Sequence, residues 1–341
     1  MFYTTGTSLH GSDVPLLCLG GFIGISGLFI GILVGIILQR GQFCISGQLG
    51  YITRTRSLAA IAPIAVAVAI QMIGFYVLSL YGYITIPSSP MPFVATVVGS
   101  VLFGVGMGIA GCCLTGQLFR AGQGLISAWT TLLVFSLTTI TTQTGIFKYW
   151  IADMLKTTGT MSTIPNTLNI SPLWLIAVFL IFTTCVVIKW VRTYEKDPGY
   201  WTGVPAGIAL GIVGVAAWYF SADAGRDFGL SFTIPIGNLF QFIQLNQQRY
   251  LNWGSYLVLG VLIGSFAASV VKKQWRKDTM APRKFWESVI GGFLMGIGAA
   301  LTGGCTMANV IVGTAYFSWQ SWIATFVMAL SLWVVLKIRN A

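Results

Sequence analysis

Nine apolar runs, near residues 15–38, 58–81, 93–111, 124–142, 172–190, 202–220, 254–271, 286–302 and 320–336, alternate with short polar connections. Each is close to the roughly 17–25 residues that a membrane-crossing helix needs. The last two are the shortest, which predicts broken or re-entrant backbone beside them. Three polar, glycine-rich stretches follow apolar runs without resembling charged loops: Gln39 to Gly47, Ala110 to Gly124 and Thr302 to Tyr316. Unwound backbone at membrane depth must be buried in protein or line a cavity, so these predict re-entrant loops or half-helices. The free amides at the start of such half-helices favour an anion.

The apolar pattern also repeats. Gly99, Gly104, Gly106, Gly111 and Cys113 recur in register, 192 residues on, as Gly291, Gly296, Gly298, Gly303 and Cys305. Small residues four apart, such as Gly104 with Gly108 and Gly31 with Gly35, let helices pack closely, and packing accounts for most of the glycines. It accounts less well for a cysteine at the same end of both copies. Gly31 and Gly35 also match Gly207 and Gly211, and Arg40-Gly41-Gln42-Phe43 faintly echoes Arg226-Asp227-Phe228. These matches predict one membrane domain over 1–341, with a half at 15–142, a second at 202–336, and a connector at 143–201 holding the fifth span.

Composition agrees with a bilayer setting: 55% hydrophobic, 8% charged, mean hydropathy +0.81. No soluble class looks like this, and no room remains for a soluble catalytic domain. The net charge of +11 is best explained by topology. With nine crossings and the C-terminus in the cytoplasm, fifteen of the nineteen basic residues fall on the inner side. The outer side keeps Lys148, Lys156, Arg226 and Arg249, diluted by Asp153, Asp223 and Asp227. The N-terminus is then outside, and the two glycine–cysteine helices run in opposite directions. That makes the repeat an inverted one, which places a substrate site near the midplane. Residues 1–14 lack the basic start of a signal peptide.

Six cysteines with one histidine, His10, argue against a metal or haem centre, and the pattern calls for no cofactor. Cys18 and Cys185 lie mid-span and read as small packing residues. Absence of a G-x-x-x-x-G-K-[ST] motif argues against primary pumping. The basic runs are juxtamembrane and suggest lipid or partner contact rather than nucleic acid.

The strings QRGQFC, GCCLTG with RAGQG, and GGC occur in order across nearly the whole chain. They resemble the bacterial YeeE/YedE inner-membrane proteins, which take up thiosulfate. The resemblance implies that Cys44, Cys113 and Cys305 line the path and contact the substrate. It also implies a small cytosolic TusA-like sulfur-carrier protein as partner. Cys112 stands where the family pattern has a glycine. Candidate supporting residues are Arg40, Gly41, Gly111, Cys112, Arg120, Gly303 and Gly304. Arg40 and Arg120 serve equally well as inner-face anchors or anion attractors.

A buried dianion needs donors, yet a cluster of fixed cations would hold it too tightly for turnover. Thiols are weak donors that can meet the terminal sulfur without trapping it. The expected route passes Cys305, then Cys113 and Cys44, each thiol handing the ion on. The chain therefore reads as an all-α polytopic transporter and not an enzyme. Competing readings are another sulfur- or selenium-bearing oxyanion, a membrane thiol-redox protein built on Cys112 and Cys113, and an assembly subunit.

Overall fold

A computed structural model describes residues 16–55, 57–88, 90–156, 162–190, 203–275 and 280–340. His10, the N-terminal stretch 1–14, and the basic residues Arg56, Arg192, Lys196, Arg276 and Lys277 lie outside the described residues.

The described chain is helical, without strands. Helix α1 (Leu16–Gly41) leads into short α2 (Ile45–Thr55), then α3 (Ala62–Leu80), α4 (Phe93–Ala110), short α5 (Leu114–Gly122) and α6 (Ile126–Gln143). Two short helices, α7 (Lys148–Lys156) and α8 (Ile164–Leu168), precede α9 (Pro172–Trp190). There follow α10 (Val204–Asp223), α11 (Thr233–Leu245), α12 (Trp253–Val271) and α13 (Pro282–Leu301). A π-helical turn, Met307–Gly313, separates α13 from α14 (Trp319–Asn340).

The long helices fall on the nine apolar runs. Seven of them are long and apolar enough to cross a membrane: α1, α3, α4, α9, α10, α12 and α14. The other two carry polar segments. Helix α13 opens on Arg283, Lys284 and Glu287. Helix α6 is rich in Thr and Ser, and returns several of their hydroxyls to its own backbone. Thr131 donates to the Ser127 carbonyl at 2.9 Å and Thr138 to that of Val134 at 2.8 Å. A hydroxyl returned to its own helix lets a polar stretch lie among packed helices without stranded donors. The second expected span is shorter than its apolar run because a 3-10 turn, Leu58–Ile61, takes up its start.

The glycine lattices are the seam between α4 and α13. A Cβ at Gly298 would lie 2.6 Å from both the Gly99 carbonyl oxygen and the Phe103 nitrogen. One at Gly106 would lie 2.9 Å from the Gly291 carbonyl oxygen. Gly99 thus faces Gly298 while Gly106 faces Gly291, so the two helices run antiparallel at backbone contact. The second glycine of each copy meets a different helix. Gly104 lies against Met328 and Ser331 of α14, and Gly296 against Thr138 and Phe135 of α6.

Two further helix pairs pack just as closely. Helix α1 packs parallel to α12, with Gly31 beside Gly260 and Gly35 beside Ser265. Helix α10 packs parallel to α3, with Gly207 against Pro63 and Gly211 against Ala67 and Ile70. Removing a side chain where backbones touch lets many weak dispersion contacts form, which drives helix association where water is absent. Helix α9 has little buried surface, and its Cys185 is exposed. This corrects the expectation that Cys185 packs inside: the fifth span lies at the edge, and Cys185 is on its outward face while Ile176 and Thr183 are buried.

Candidate functional site

Each cysteine-bearing stretch breaks a helix in the same way. Two residues before the cysteine the backbone turns left-handed, with φ 45° at Gln42, 76° at Gly111 and 72° at Gly303. Glycine takes that conformation freely, whereas Gln42 is a non-glycine residue held there. The reversal ends α1, α4 and α13 and sets the cysteine at the start of a short helical segment. Cys113 is the N-cap of α5, and Cys44 directly precedes α2.

Four residues after each cysteine comes a buried side-chain amide: Gln48, Gln117 and Asn309. Their backbone N–H groups donate to the carbonyls of Cys44 (2.9 Å), Cys113 (2.9 Å) and Cys305 (3.0 Å). Two of the side chains also reach back over the break. Gln117 Nε2 donates to the Ala110 carbonyl at 3.4 Å. Asn309 Nδ2 donates to those of Gly304 (3.0 Å) and Cys305 (3.3 Å). These amides were not among the candidates read from the sequence. The spacing C-x-x-x-[QN], present at all three cysteines, is the signal that would have found them.

Three of the four candidate thiols come together. Cys44 Sγ lies 2.8 Å from Cys112 Sγ, 3.5 Å from Cys113 Sγ and 3.0 Å from Ser46 Oγ. The Cys113 N–H donates to Ser46 Oγ at 3.1 Å, tying the two turns together. All three thiols are free and buried. Gly116 makes the space, because a Cβ there would collide with the Cys112 sulfur and lie 2.7 Å from that of Cys44.

Cys305 stands apart, buried at the foot of the other half of the seam. Because α4 and α13 are antiparallel, Cys113 and Cys305 follow opposite ends of the pair. A polar lattice holds the Cys305 turn. Thr302 Oγ1 donates to the Gly298 and Gly304 carbonyls (2.8 and 2.9 Å), and Gln320 Nε2 to the Thr302 carbonyl at 2.7 Å. Ser321 Oγ donates to Asn309 Oδ1 at 3.2 Å.

The other supporting candidates are distributed around these turns. Gly41 closes α1 and Arg40 sits in its last turn, while Arg120 sits in the last turn of α5. Gly111 and Gly303 are the left-handed residues, and Gly304 supplies a carbonyl to the Cys305 turn. Polar atoms beside the cysteines lack partners among the described residues: Gln48 Oε1, Thr115 Oγ1 and Thr306 Oγ1, all buried. A buried polar atom without a partner costs roughly 1–3 kcal/mol. One such atom on each segment that begins with a cysteine fits a small polar ligand beside each thiol.

Fold and site together define a polytopic helical membrane protein with broken helices, each presenting a thiol at the break. The chain belongs to the sulphur transport family, whose pattern it matches over residues 40–334. It is 31% identical over 328 residues to the thiosulfate transporter TsuA of Escherichia coli (strain K12), spanning 91% of this chain and 92% of that one. The thiosulfate transporter TsuA of Spirochaeta thermophila is 28% identical over 327 residues, covering 91% and 97% of the two chains. A probable transporter YedE from Escherichia coli (strain K12) is 26% identical over 153 residues, about two fifths of each chain.

Proposed function

We propose that the chain takes up thiosulfate across the bacterial inner membrane, moving the ion past Cys305 and then the Cys113–Cys44 cluster to the cytoplasm. The observation that carries this reading is the threefold recurrence of one turn, with a buried thiol at the start of a short helix. Thiosulfate is a dianion with oxygen acceptors at one end and a polarisable sulfur at the other. Helix-start amides and unpartnered hydroxyls such as Thr115 and Thr306 suit the oxygens, and S–H groups suit the terminal sulfur. Several weak sites in series let an ion both enter and leave.

The two halves, 15–142 and 202–336, are read as an inverted repeat with the N-terminus outside and the C-terminus inside. In support, both show long, short, long, long, short, long elements in order, and packing survives their exchange. Under it, α1 with α12 becomes α10 with α3, and α4 with α14 becomes α13 with α6. The basic inner loops suit a small cytosolic sulfur-carrier protein of the TusA type, which would receive the sulfur there. The chain acts as a carrier and not as an enzyme, in keeping with its family.

The test is uptake and growth with thiosulfate as sole sulfur source, in cells lacking other routes, compared with sulfate and selenium oxyanions. Thiosulfate should support growth only when the chain is present. Equal growth without it, or rescue by another oxyanion but not by thiosulfate, would overturn the assignment.

A further inference from the structure

Cys112 is a buried thiol that the relay does not use. It stands beside the family cysteine, at the position where the resembling pattern has glycine, and its sulfur is the nearest neighbour of Cys44 Sγ at 2.8 Å. Cys113 is farther from Cys44, at 3.5 Å. A bond between adjacent Cys112 and Cys113 would be strained, since a disulfide needs Cα atoms roughly 4.4–6.8 Å apart in a specific relative orientation. Cys44 and Cys112 instead come from turns 68 residues apart in sequence, with their sulfurs already facing. The bare Gly116 gives the Cys112 sulfur the volume it occupies.

We propose that Cys44 and Cys112 are an oxidative modification site, closing to a reversible disulfide that shuts the transport path. With a peroxide as oxidant, one thiol is oxidised to a sulfenic acid while one oxygen of the peroxide leaves as water. The sulfur of the other thiol then displaces the hydroxyl, which leaves with a proton as a second water. Two thiols and one hydrogen peroxide thus give one disulfide and two waters. Two equivalents of a small thiol, or one dithiol, reverse the bond by exchange: the first forms a mixed disulfide and frees one cysteine thiol, and the second frees the other and leaves as the reagent's own disulfide. The bond takes the Cys44 thiol out of the path and staples the turn after α1 to the turn after α4. Cys113 is left as an unpaired thiol. The closure, unlike the bond itself, rests on the proposed uptake function.

The experiment uses the full chain in liposomes. Protein is treated with hydrogen peroxide, free thiols are blocked with N-ethylmaleimide, and the digest is read by mass spectrometry before and after dithiothreitol. The expected result is a peptide joining Cys44 to Cys112 that dithiothreitol releases. Thiosulfate uptake by the same liposomes should fall at least about tenfold with peroxide and return with dithiothreitol, because the exchange is reversible. Cys112→Gly and Cys112→Ser are each compared with their own untreated rate, and each should lose less than about twofold on the same treatment. Thiols 44 and 112 that both stay open to N-ethylmaleimide, or a bond from Cys44 to Cys113, would overturn the proposal. So would undiminished peroxide sensitivity in the Cys112 variants. The linkage is read without substrate, so a chain that forms it but carries no thiosulfate refutes the transport reading and leaves the modification site standing.

Discussion

The Cys44 cluster and the Cys305 turn share one backbone device and differ in what surrounds it. Both place a cysteine two residues after a left-handed turn and an amide four residues further on. At the first, two such turns meet, so three sulfurs and Ser46 hold one another. At the second, a single turn is enclosed by hydrogen bonds from Thr302, Asn309, Gln320 and Ser321. A further left-handed turn, at Gly225 after α10, resembles that of Cys44, but there Asp227 accepts the Trp218 ring N–H (2.8 Å) and the Thr85 N–H (2.9 Å). A shared turn therefore yields either soft, exchangeable contacts or a fixed polar scaffold. Which one results depends on what lies across from it.

If both regions belong to one path, losing a thiol from either is equally fatal. Cys44→Ala, Cys113→Ala and Cys305→Ala should each reduce thiosulfate uptake to background while the protein still inserts and folds. Normal uptake by Cys305→Ala would break the comparison, leaving the three-sulfur cluster as the whole site. The seam that holds the regions apart should be the next most sensitive. Gly298→Val would drive a side chain into the Gly99 carbonyl and the Phe103 nitrogen. It should cost roughly 3 kcal/mol, the upper end for overpacking, because backbone cannot give way. Thermal unfolding of the detergent-solubilised protein measures this, and an unchanged Tm would mean that α4 and α13 can separate.

The smallest effects should separate the two scaffolds. Asn309→Leu removes three hydrogen bonds, one from the Ser321 hydroxyl and two to the Gly304 and Cys305 carbonyls, which keep their bonds from Thr302 Oγ1 and the residue 309 N–H. Gln117→Leu loses one long bond to the Ala110 carbonyl. Losses of about 2 and about 0.5 kcal/mol follow from three bonds against one long one, given that a membrane-embedded hydrogen bond is worth about 0.6 kcal/mol on average. Equal losses would show that the two turns are held alike.

Much of the fold was legible beforehand because apolar length is a local property. The nine runs lie where the long helices form, and Gly99, Gly106, Gly291 and Gly298 mark backbone contact. The amides at Gln48, Gln117 and Asn309 escaped notice because each looks like an ordinary polar residue until its turn is seen. Cys185 was misjudged because an apolar run reads the same whether a bilayer or protein surrounds it.

By itself the sequence determined the helical membrane architecture, the sites of the three breaks and the candidate cysteines. Hydrophobic length, glycine and turn chemistry act within a few residues of one another. Only the tertiary structure decided that Cys44 meets Cys112 and Cys113 while Cys305 stands alone. Those contacts depend on helices packed across more than sixty residues of chain, which no local pattern encodes.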